Sequence, residues 1–221
     1  MEFQRNEQLE EDVLDEMMGE ISDDRTHPSL TDLLYCLTKT WRNANQPLPV
    51  TRKTKMYYSI GLGLERNLLV KRHAVNLSDV RGQDGIGFHP DSFTEDAWLD
   101  GDRLVEMKGT RYGLSTKGRG EFTPEHFPEN WHKQAMGYCY KLKVNKVSFI
   151  VLHIIQAELR TWDIEYTDLE LMQNWAQVML HKEVWDIADQ RQEAPESYAW
   201  NQEWECKDCI YSLWCQARVK K

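Results

Sequence analysis

Apolar residues recur every three or four positions in several stretches of the chain, and this spacing predicts helices. The first stretch, residues 1–24, is acidic and predicts a surface helix or a partly ordered arm. After a break at Pro28, Ser29 is placed to cap a helix that runs through Leu37 and ends before a loop at 43–49. Further helices are predicted at about residues 54–68, 128–142 and 167–190.

Strand patterns occupy the middle of the chain. Residues 147–155 form a mostly apolar run, which is typical of a strand buried on both faces. Residues 159–166 alternate between apolar and polar side chains, as a half-buried edge strand does. A basic, glycine-containing loop is expected at 111–124, and the alternation of helices and strands predicts an α/β domain. Further strands are predicted at about residues 84–92, 96–100 and 103–109.

Three polar residues in this strand region suit metal chemistry on phosphates. Asp100-Gly101 stands between apolar flanks and is a strong hairpin signal. Asp91 and Glu106 can therefore lie on neighbouring strands. Glu106 and Lys108 are two residues apart on one predicted strand, so both side chains leave the same face. Two carboxylates would hold Mg²⁺ or Mn²⁺, and the lysine would position or activate the attacking water.

The net charge of −9 argues against a nucleic-acid enzyme until its distribution along the chain is considered. Residues 1–24 hold ten acidic residues and one basic residue, which accounts for the whole excess. The remainder is balanced and its basic residues cluster locally, so phosphate binding needs no basic isoelectric point. No apolar run reaches membrane-spanning length, and the Glu-rich N-terminus lacks a signal-peptide layout. We therefore expect a cytoplasmic protein of a bacterium, archaeon, virus or phage, with no membrane partner.

The segment ECKDCIYSLWC places Cys206, Cys209 and Cys215 in a C-x2-C-x5-C cluster. Closely spaced thiolates in a protein expected to be intracellular predict a metal or an iron–sulfur cluster in place of disulfides. A site with four thiolates needs one more ligand, which Cys36 or Cys139 can supply. Cys139 lies in a predicted core helix, where a buried thiol is ordinary. Zinc is the alternative to an iron–sulfur cluster.

These motifs together resemble the RecB-like branch of the PD-(D/E)XK nuclease superfamily. Their order along the chain is Asp91, Glu106-x-Lys108, Gln134-x3-Tyr138 and then C-x2-C-x5-C. The chain is most similar to members that carry a cysteine-ligated 4Fe–4S cluster, such as CRISPR-associated RecB-like exonucleases, the AddB nuclease domain and phage relatives. The resemblance implies a PD-(D/E)XK, restriction-endonuclease-like core, in which a mixed central sheet is flanked by helices.

The resemblance also implies a metal site. Asp91 and Glu106 would ligate the catalytic cation, and the carbonyl of Met107 would add a further ligand. Lys108 would orient the water and stabilise developing charge. Many family members have a metal-ligating histidine four residues after a glycine in the early helix, where this chain has Glu65. A glutamate is a hard ligand that fits Mg²⁺ or Mn²⁺, and it is equally an ordinary helix-surface residue.

Two further groups of residues receive roles from the resemblance. Gln134 and Tyr138, four residues apart on one predicted helix face, would position the DNA strand at the metal. In the family pattern one early and three late cysteines hold the cluster. The matching cysteines here are Cys36, Cys206, Cys209 and Cys215. Such a cluster would join the two ends of the domain.

The resemblance covers about residues 29–217 and divides the chain into an acidic arm, 1–28, and a nuclease domain, 29–221. The implied activity is metal-dependent hydrolysis of DNA, exonucleolytic and favouring single strands or frayed ends, in recombination, repair, phage DNA processing or CRISPR adaptation. Helicase, recombination or CRISPR-adaptation proteins are the expected partners besides DNA. Two alternatives stay open: a nuclease-fold binding subunit with little activity of its own, and a zinc-stapled DNA-binding protein.

Overall fold

The described part of the chain covers most of the predicted domain and a few positions of the acidic arm. The structure is a computed structural model, and it describes residues 8, 12–13, 27–68, 84–88, 92–94, 103–116, 120–195, 205–206, 209–212 and 215. In the arm, Gln8, Asp12 and Val13 are helical, and the Gln8 side chain donates to the Asp12 carboxylate over 2.8 Å. The rest of the predicted arm helix lies outside the described residues.

Ser29 caps helix α1 (Leu30–Leu34), as the sequence predicts. The Ser29 hydroxyl accepts the Asp32 N–H over 3.2 Å, and the Asp32 carboxylate accepts the Ser29 N–H over 2.9 Å. This reciprocal pair satisfies two backbone amides that the start of a helix would otherwise leave unbonded.

The helix predicted after Ser29 is interrupted at Cys36, which precedes helix α2 (Leu37–Asn45). In a continuous helix the Cys36 N–H would bond to the Asp32 carbonyl. Instead, the Glu205 carboxylate accepts the Cys36 N–H over 3.1 Å. The Asp32 carbonyl accepts the Thr40 hydroxyl over 2.9 Å. The prediction of one unbroken helix is therefore wrong, because both groups that would continue it have tertiary or local partners.

Helix α3 (Arg52–Leu68) lies close to the helix predicted at about residues 54–68. It begins slightly earlier than predicted, since the Thr51 hydroxyl accepts the Thr54 N–H over 3.2 Å and so starts the helix at residue 52. Helix α2 likewise extends to Asn45, past the predicted start of the loop at 43.

The central sheet is mixed, as predicted. The strands are, in chain order, β1 (Ser92–Thr94), β2 (Arg103–Thr110), β3 (Ser115–Thr116), β4 (Gly120–Glu121), β5 (Lys146–His153) and β6 (Glu158–Glu165). One four-stranded sheet has the order β1-β2-β5-β6, and β3 pairs with β4 in a separate two-stranded sheet. β2 and β5 run parallel, whereas β1–β2 and β5–β6 are antiparallel pairs. Alternate residues of β6 are exposed, which confirms the predicted edge strand.

The chain at 84–88 does not form the strand that the sequence predicts at 84–92. It makes a turn and one isolated parallel bridge between Gly87 and Ser29. The Gly87 N–H donates to the Pro28 carbonyl, and the Gly87 carbonyl accepts the Leu30 N–H, each over 2.9 Å. Because this neighbour turns into α1 at once, a longer ladder cannot form there.

Two other predictions concern the connections beside the sheet. The loop expected at 111–124 contains the β3–β4 pair, which the sequence did not predict. The strand expected at 96–100 lies outside the described residues. β1 pairs antiparallel with β2, with Thr94 opposite Arg103, and the predicted Asp100-Gly101 turn lies outside the described residues.

Helix α4 (Glu129–Leu142) packs against β2 and β5, and helix α5 (Asp168–Arg191) packs against α4 and α1. Helices and the mixed sheet therefore share one core, which agrees with the predicted α/β class. α4 packs closely on α1 at Gly137, where an added methyl group would lie 2.7 Å from the Leu30 side chain. A bond of 2.9 Å from the Asn174 side chain to the Lys133 carbonyl fixes α5 on α4.

Candidate active site

Strand β2 places Glu106 and Lys108 on one face of the sheet, as their spacing predicts. Glu106 is fully buried, at 0% exposure, and Lys108 is partly buried. The Lys108 ammonium donates to a Glu106 carboxylate oxygen. A carboxylate is costly to bury without a cation beside it, so the lysine offsets the charge that β2 carries into the interior.

Helix α4 brings Gln134 and Tyr138 to the same pair. The Lys108 ammonium donates to Gln134 Oε1 over 3.0 Å, and Gln134 Nε2 donates to the Tyr138 hydroxyl over 3.1 Å. Because an ammonium can only donate, it sets the orientation of the Gln134 amide, whose NH₂ group then faces the tyrosine. Four of the residues singled out in the sequence, Glu106, Lys108, Gln134 and Tyr138, thus form one connected group.

The other predicted metal ligands are only partly described. Asp91 lies outside the described residues, although Ser92, which follows it, pairs with Val105, which precedes Glu106. Glu65 belongs to α3, but its side chain is outside the description. Met107 is buried in β2, between the two site residues of that strand.

Cys139 lies in α4 beneath the site and is completely buried. Burial raises the pKa of the Cys139 thiol to about 12, and the nearby Glu106 carboxylate adds to that rise. The thiol is therefore protonated at neutral pH. This agrees with the prediction of an ordinary buried cysteine in the core helix.

Two residues that the sequence did not single out contact each other where α4 meets the end of α1. The Asn130 side chain donates to the Tyr35 hydroxyl over 2.5 Å. Burial raises the pKa of Tyr35, while the Lys108 ammonium opposes the rise, so Tyr35 lies within electrostatic range of the lysine. Asn130 precedes Gln134 by one helical turn, and this spacing would have been a usable signal. For Tyr35, the pattern of the sequence carried no such signal.

The carboxyl-terminal cysteine segment folds back onto the start of α2. Cys36 is buried, and its N–H bonds to the buried Glu205 carboxylate, which directly precedes Cys206. Farther along α2, the Thr38 hydroxyl donates to the Pro195 carbonyl over 2.7 Å. The two segments that carry the predicted cluster cysteines therefore adjoin each other.

The end of the cysteine segment is also fixed to this region. The buried Tyr211 donates its hydroxyl to the Gln46 carbonyl and accepts the Leu48 N–H, each over 3.3 Å. Cys209 and Cys215 are half-buried on either side of this tyrosine. Within the described ranges, no three or more His, Cys, Asp or Glu side chains form a group that could hold a metal ion.

Comparisons with known proteins add information on the fold. The chain matches no protein-family model and no curated protein. A solved structure titled "Crystal structure of SSO0001" is similar over 96% of this chain and 95% of its own, with a TM-score of 0.52 and 15% sequence identity. At this identity the similarity shows the fold alone. No helix in the described part of the chain is long and apolar enough to cross a membrane.

Proposed function

We propose that this chain is a divalent-metal-dependent deoxyribonuclease with the PD-(D/E)XK core of RecB-like nucleases. The observation that carries the proposal is the connected group of Glu106, Lys108, Gln134 and Tyr138. Glu-x-Lys and Gln-x3-Tyr are each common by chance. Their direct contact across a strand and a helix is a stronger argument, because neither spacing alone requires it.

The donor chemistry suits Mg²⁺ or Mn²⁺. The Glu106 carboxylate supplies a hard oxygen on the buried face of β2, and Asp91, Glu65 and the Met107 carbonyl would complete the site. When bound, the cation would polarise the scissile phosphodiester and lower the pKa of water. Lys108, which donates to Glu106, would share that carboxylate with the cation and direct a remaining N–H to the substrate.

The side chains of the site have distinct roles in this proposal. Lys108 is held between Glu106 and Gln134, where its ammonium would stabilise charge that develops on the phosphoryl oxygens. Tyr138 and Gln134 would position the scissile strand beside the lysine. Their mutual hydrogen bond fixes both before the substrate arrives, so little ordering is needed at the moment of reaction.

The four cysteines Cys36, Cys206, Cys209 and Cys215 would hold a 4Fe–4S cluster. Thiolates suit iron–sulfur clusters and zinc alike, so the donor set fits both. The Glu205 contact with Cys36 favours this ligand set over one with Cys139, because it brings Cys36 to the residue before Cys206. Cys139 lies instead in the core beneath Glu106, with its thiol protonated.

The setting is recombination, repair, phage DNA processing or CRISPR adaptation, with a helicase or another protein of these pathways as a partner. The test is to incubate the purified protein with end-labelled single-stranded and duplex DNA in Mg²⁺, Mn²⁺ or EDTA. We expect cleavage in either metal, none in EDTA, and faster cutting of single strands or frayed ends. Binding without cleavage in both metals would instead support the alternative of a binding subunit.

A further inference from the structure

An exposed aromatic and cationic surface lies beside the carboxyl end of β2. Arg111 directly follows this strand, and its guanidinium lies 4.6 Å from the centre of the Tyr57 ring on α3. Tyr57, Tyr58 and Tyr112 are 43%, 52% and 60% exposed. We propose that Arg111, Tyr57 and Tyr112, here termed the tyrosine platform, bind single-stranded DNA by stacking on its bases and contacting its phosphates. This inference rests on the proposed nuclease function and names the form of its substrate.

Tyr112 is held rigidly although it is exposed. Its ring stacks on the buried Phe122, with 5.7 Å between ring centres and 23° between planes. Its N–H donates to the Thr110 hydroxyl over 3.1 Å, and its carbonyl accepts from His153 Nδ1 over 3.0 Å. One face of the ring is thus covered by Phe122, and the exposed remainder can stack on a base. A fixed ring loses little conformational entropy when a ligand binds.

The platform is close to the candidate active site. Arg111 is three residues beyond Lys108, a span of about 10 Å in extended chain. Helix α3, which carries Tyr57 and Tyr58, packs against β2 itself. A strand lying on the platform would therefore pass the lysine within a few nucleotides.

The first turns of α3, which lead to Tyr57, suit a polyanion. Residues 51–58 contain three basic residues and no acidic residue, although the whole chain has a net charge of −9. Arg52 and Lys53 are exposed in the first turn of α3, and Lys53 is one helical turn before Tyr57. Basic side chains beside exposed rings are the combination that binds single-stranded nucleic acid without sequence preference.

The stacking argument favours single strands over duplex DNA. In a duplex the faces of the bases are covered by their neighbours. Only the phosphates then remain as binding partners for Arg111, Arg52 and Lys53. In a single strand each base has a face that can lie on an aromatic ring. The platform thus provides a physical reason for a preference that the proposed function includes.

The test measures binding of fluorescently labelled oligothymidine, and of a duplex of equal length, by anisotropy in EDTA, where cleavage is absent. Tyr112→Ala and Tyr57→Ala should each weaken single-strand binding about five- to a hundredfold, with a much smaller effect on duplex binding. Tyr112→Phe should bind as the unmodified protein does. Tyr112→Leu, which keeps an apolar contact with Phe122, should lose affinity as Tyr112→Ala does.

Tyr140→Ala is the matched control. Tyr140 is also an exposed tyrosine stacked on another ring, Trp175, at 5.1 Å between centres, but it lies on α4. Its removal should leave DNA binding unchanged. Unchanged single-strand affinity in both Tyr112→Ala and Tyr57→Ala would overturn the platform, and it would leave the nuclease proposal standing if the unmodified protein cuts DNA. If single-strand binding depends on the platform but the unmodified protein cuts no DNA in Mg²⁺ or Mn²⁺, the platform stands and the nuclease proposal is wrong.

Discussion

The Lys108 ammonium donates to Gln134 Oε1 over 3.0 Å, and this bond joins strand β2 to helix α4 at the candidate active site. The glutamine also bonds to Tyr138, so it fixes the lysine and the tyrosine relative to each other. In the proposed nuclease, a residue in this position would act on catalysis by placing the lysine and the tyrosine. Small displacements of reacting groups are costly to rate, and this makes Gln134 a sensitive point for mutation.

We expect Gln134→Ala to lower the single-turnover rate of DNA cleavage by about ten- to a hundredfold without loss of the divalent cation. Tyr138→Phe, which removes only the hydroxyl, should have a smaller effect in the same direction. Lys133→Ala is the control on the same helix, because Lys133 pairs with exposed Glu129 at 2.7 Å, away from the site. Equal rates for Gln134→Ala and Lys133→Ala would show that the contact has no catalytic role.

The colour of the purified protein distinguishes the cysteines proposed to hold the cluster from Cys139. Anaerobically purified protein should be brown and contain about four irons per chain. Cys36→Ser should lose the colour and melt at a lower temperature, because the cluster would join the two ends of the domain. Cys139→Ser is the control and should stay brown, since that thiol is buried under the active site.

Two other outcomes would change the assignment. A colourless preparation with about one zinc per chain would replace the iron–sulfur cluster by a zinc staple. If the colour survives Cys36→Ser and disappears in Cys139→Ser, the fourth ligand is Cys139 and the assignment of Cys36 is wrong.

We expect opposite changes in stability from alanine substitutions at two helical glycines, Gly137 in α4 and Gly61 in α3. Gly137→Ala should destabilise the fold by about 1–3 kcal/mol, because the new methyl group would lie 2.7 Å from the Leu30 side chain. Gly61→Ala in α3 has no atom within 4 Å of the new methyl group and should stabilise by about 0.5–1 kcal/mol. Denaturant unfolding of both variants measures the difference. Equal stability of the two would contradict the close packing at Gly137.

His181 predicts a loss of stability in mild acid. Burial lowers the pKa of His181, although its bond with the Leu33 carbonyl opposes the shift. The unfolded chain therefore takes up the proton first as pH falls. The stability that neutral His181 contributes is complete above about pH 6.5 and is lost as pH falls from there through the lower folded pKa.

We expect His181→Gln to flatten the dependence of melting temperature on pH in that range. His27→Gln is the control, because His27 is exposed and should leave the slope as it is. If His181→Gln and the unmodified protein lose stability in parallel on acidification, the histidine is not the titrating group.

The elements with long, regular patterns could be predicted from the sequence. Helices α4 and α5 and strands β5 and β6 lie close to their predicted bounds, because several turns or alternations of apolar residues mark each of them. The break at Cys36 could not be predicted, since it depends on Glu205, far away in the chain. The prediction of a strand over 84–88 failed for the same reason. The chain there forms only the bridge at Gly87, whose partner lies at the start of α1.

The candidate site divides in the same way. The shared faces of Glu106 with Lys108 and of Gln134 with Tyr138 follow from the periods of a strand and a helix. The contact between the two pairs does not follow from either period. It depends on how α4 lies on the sheet, which packing decides. Tyr35 contacts Asn130 of α4 through that same packing, and so it carried no signal in the sequence.

The proposed function depends most directly on Glu106, the buried carboxylate that accepts from Lys108 and that would ligate the metal. The decisive measurement is the rate of cleavage of end-labelled single-stranded DNA in saturating Mg²⁺ or Mn²⁺ by the unmodified protein and by Glu106→Gln. Glutamine keeps the size of the side chain and removes its charge. Glu165→Gln, at an exposed position of β6, is the control. We predict metal-dependent cleavage that Glu106→Gln reduces by at least about a thousandfold and Glu165→Gln leaves unchanged. Cleavage by Glu106→Gln at the rate of the unmodified protein would contradict the account.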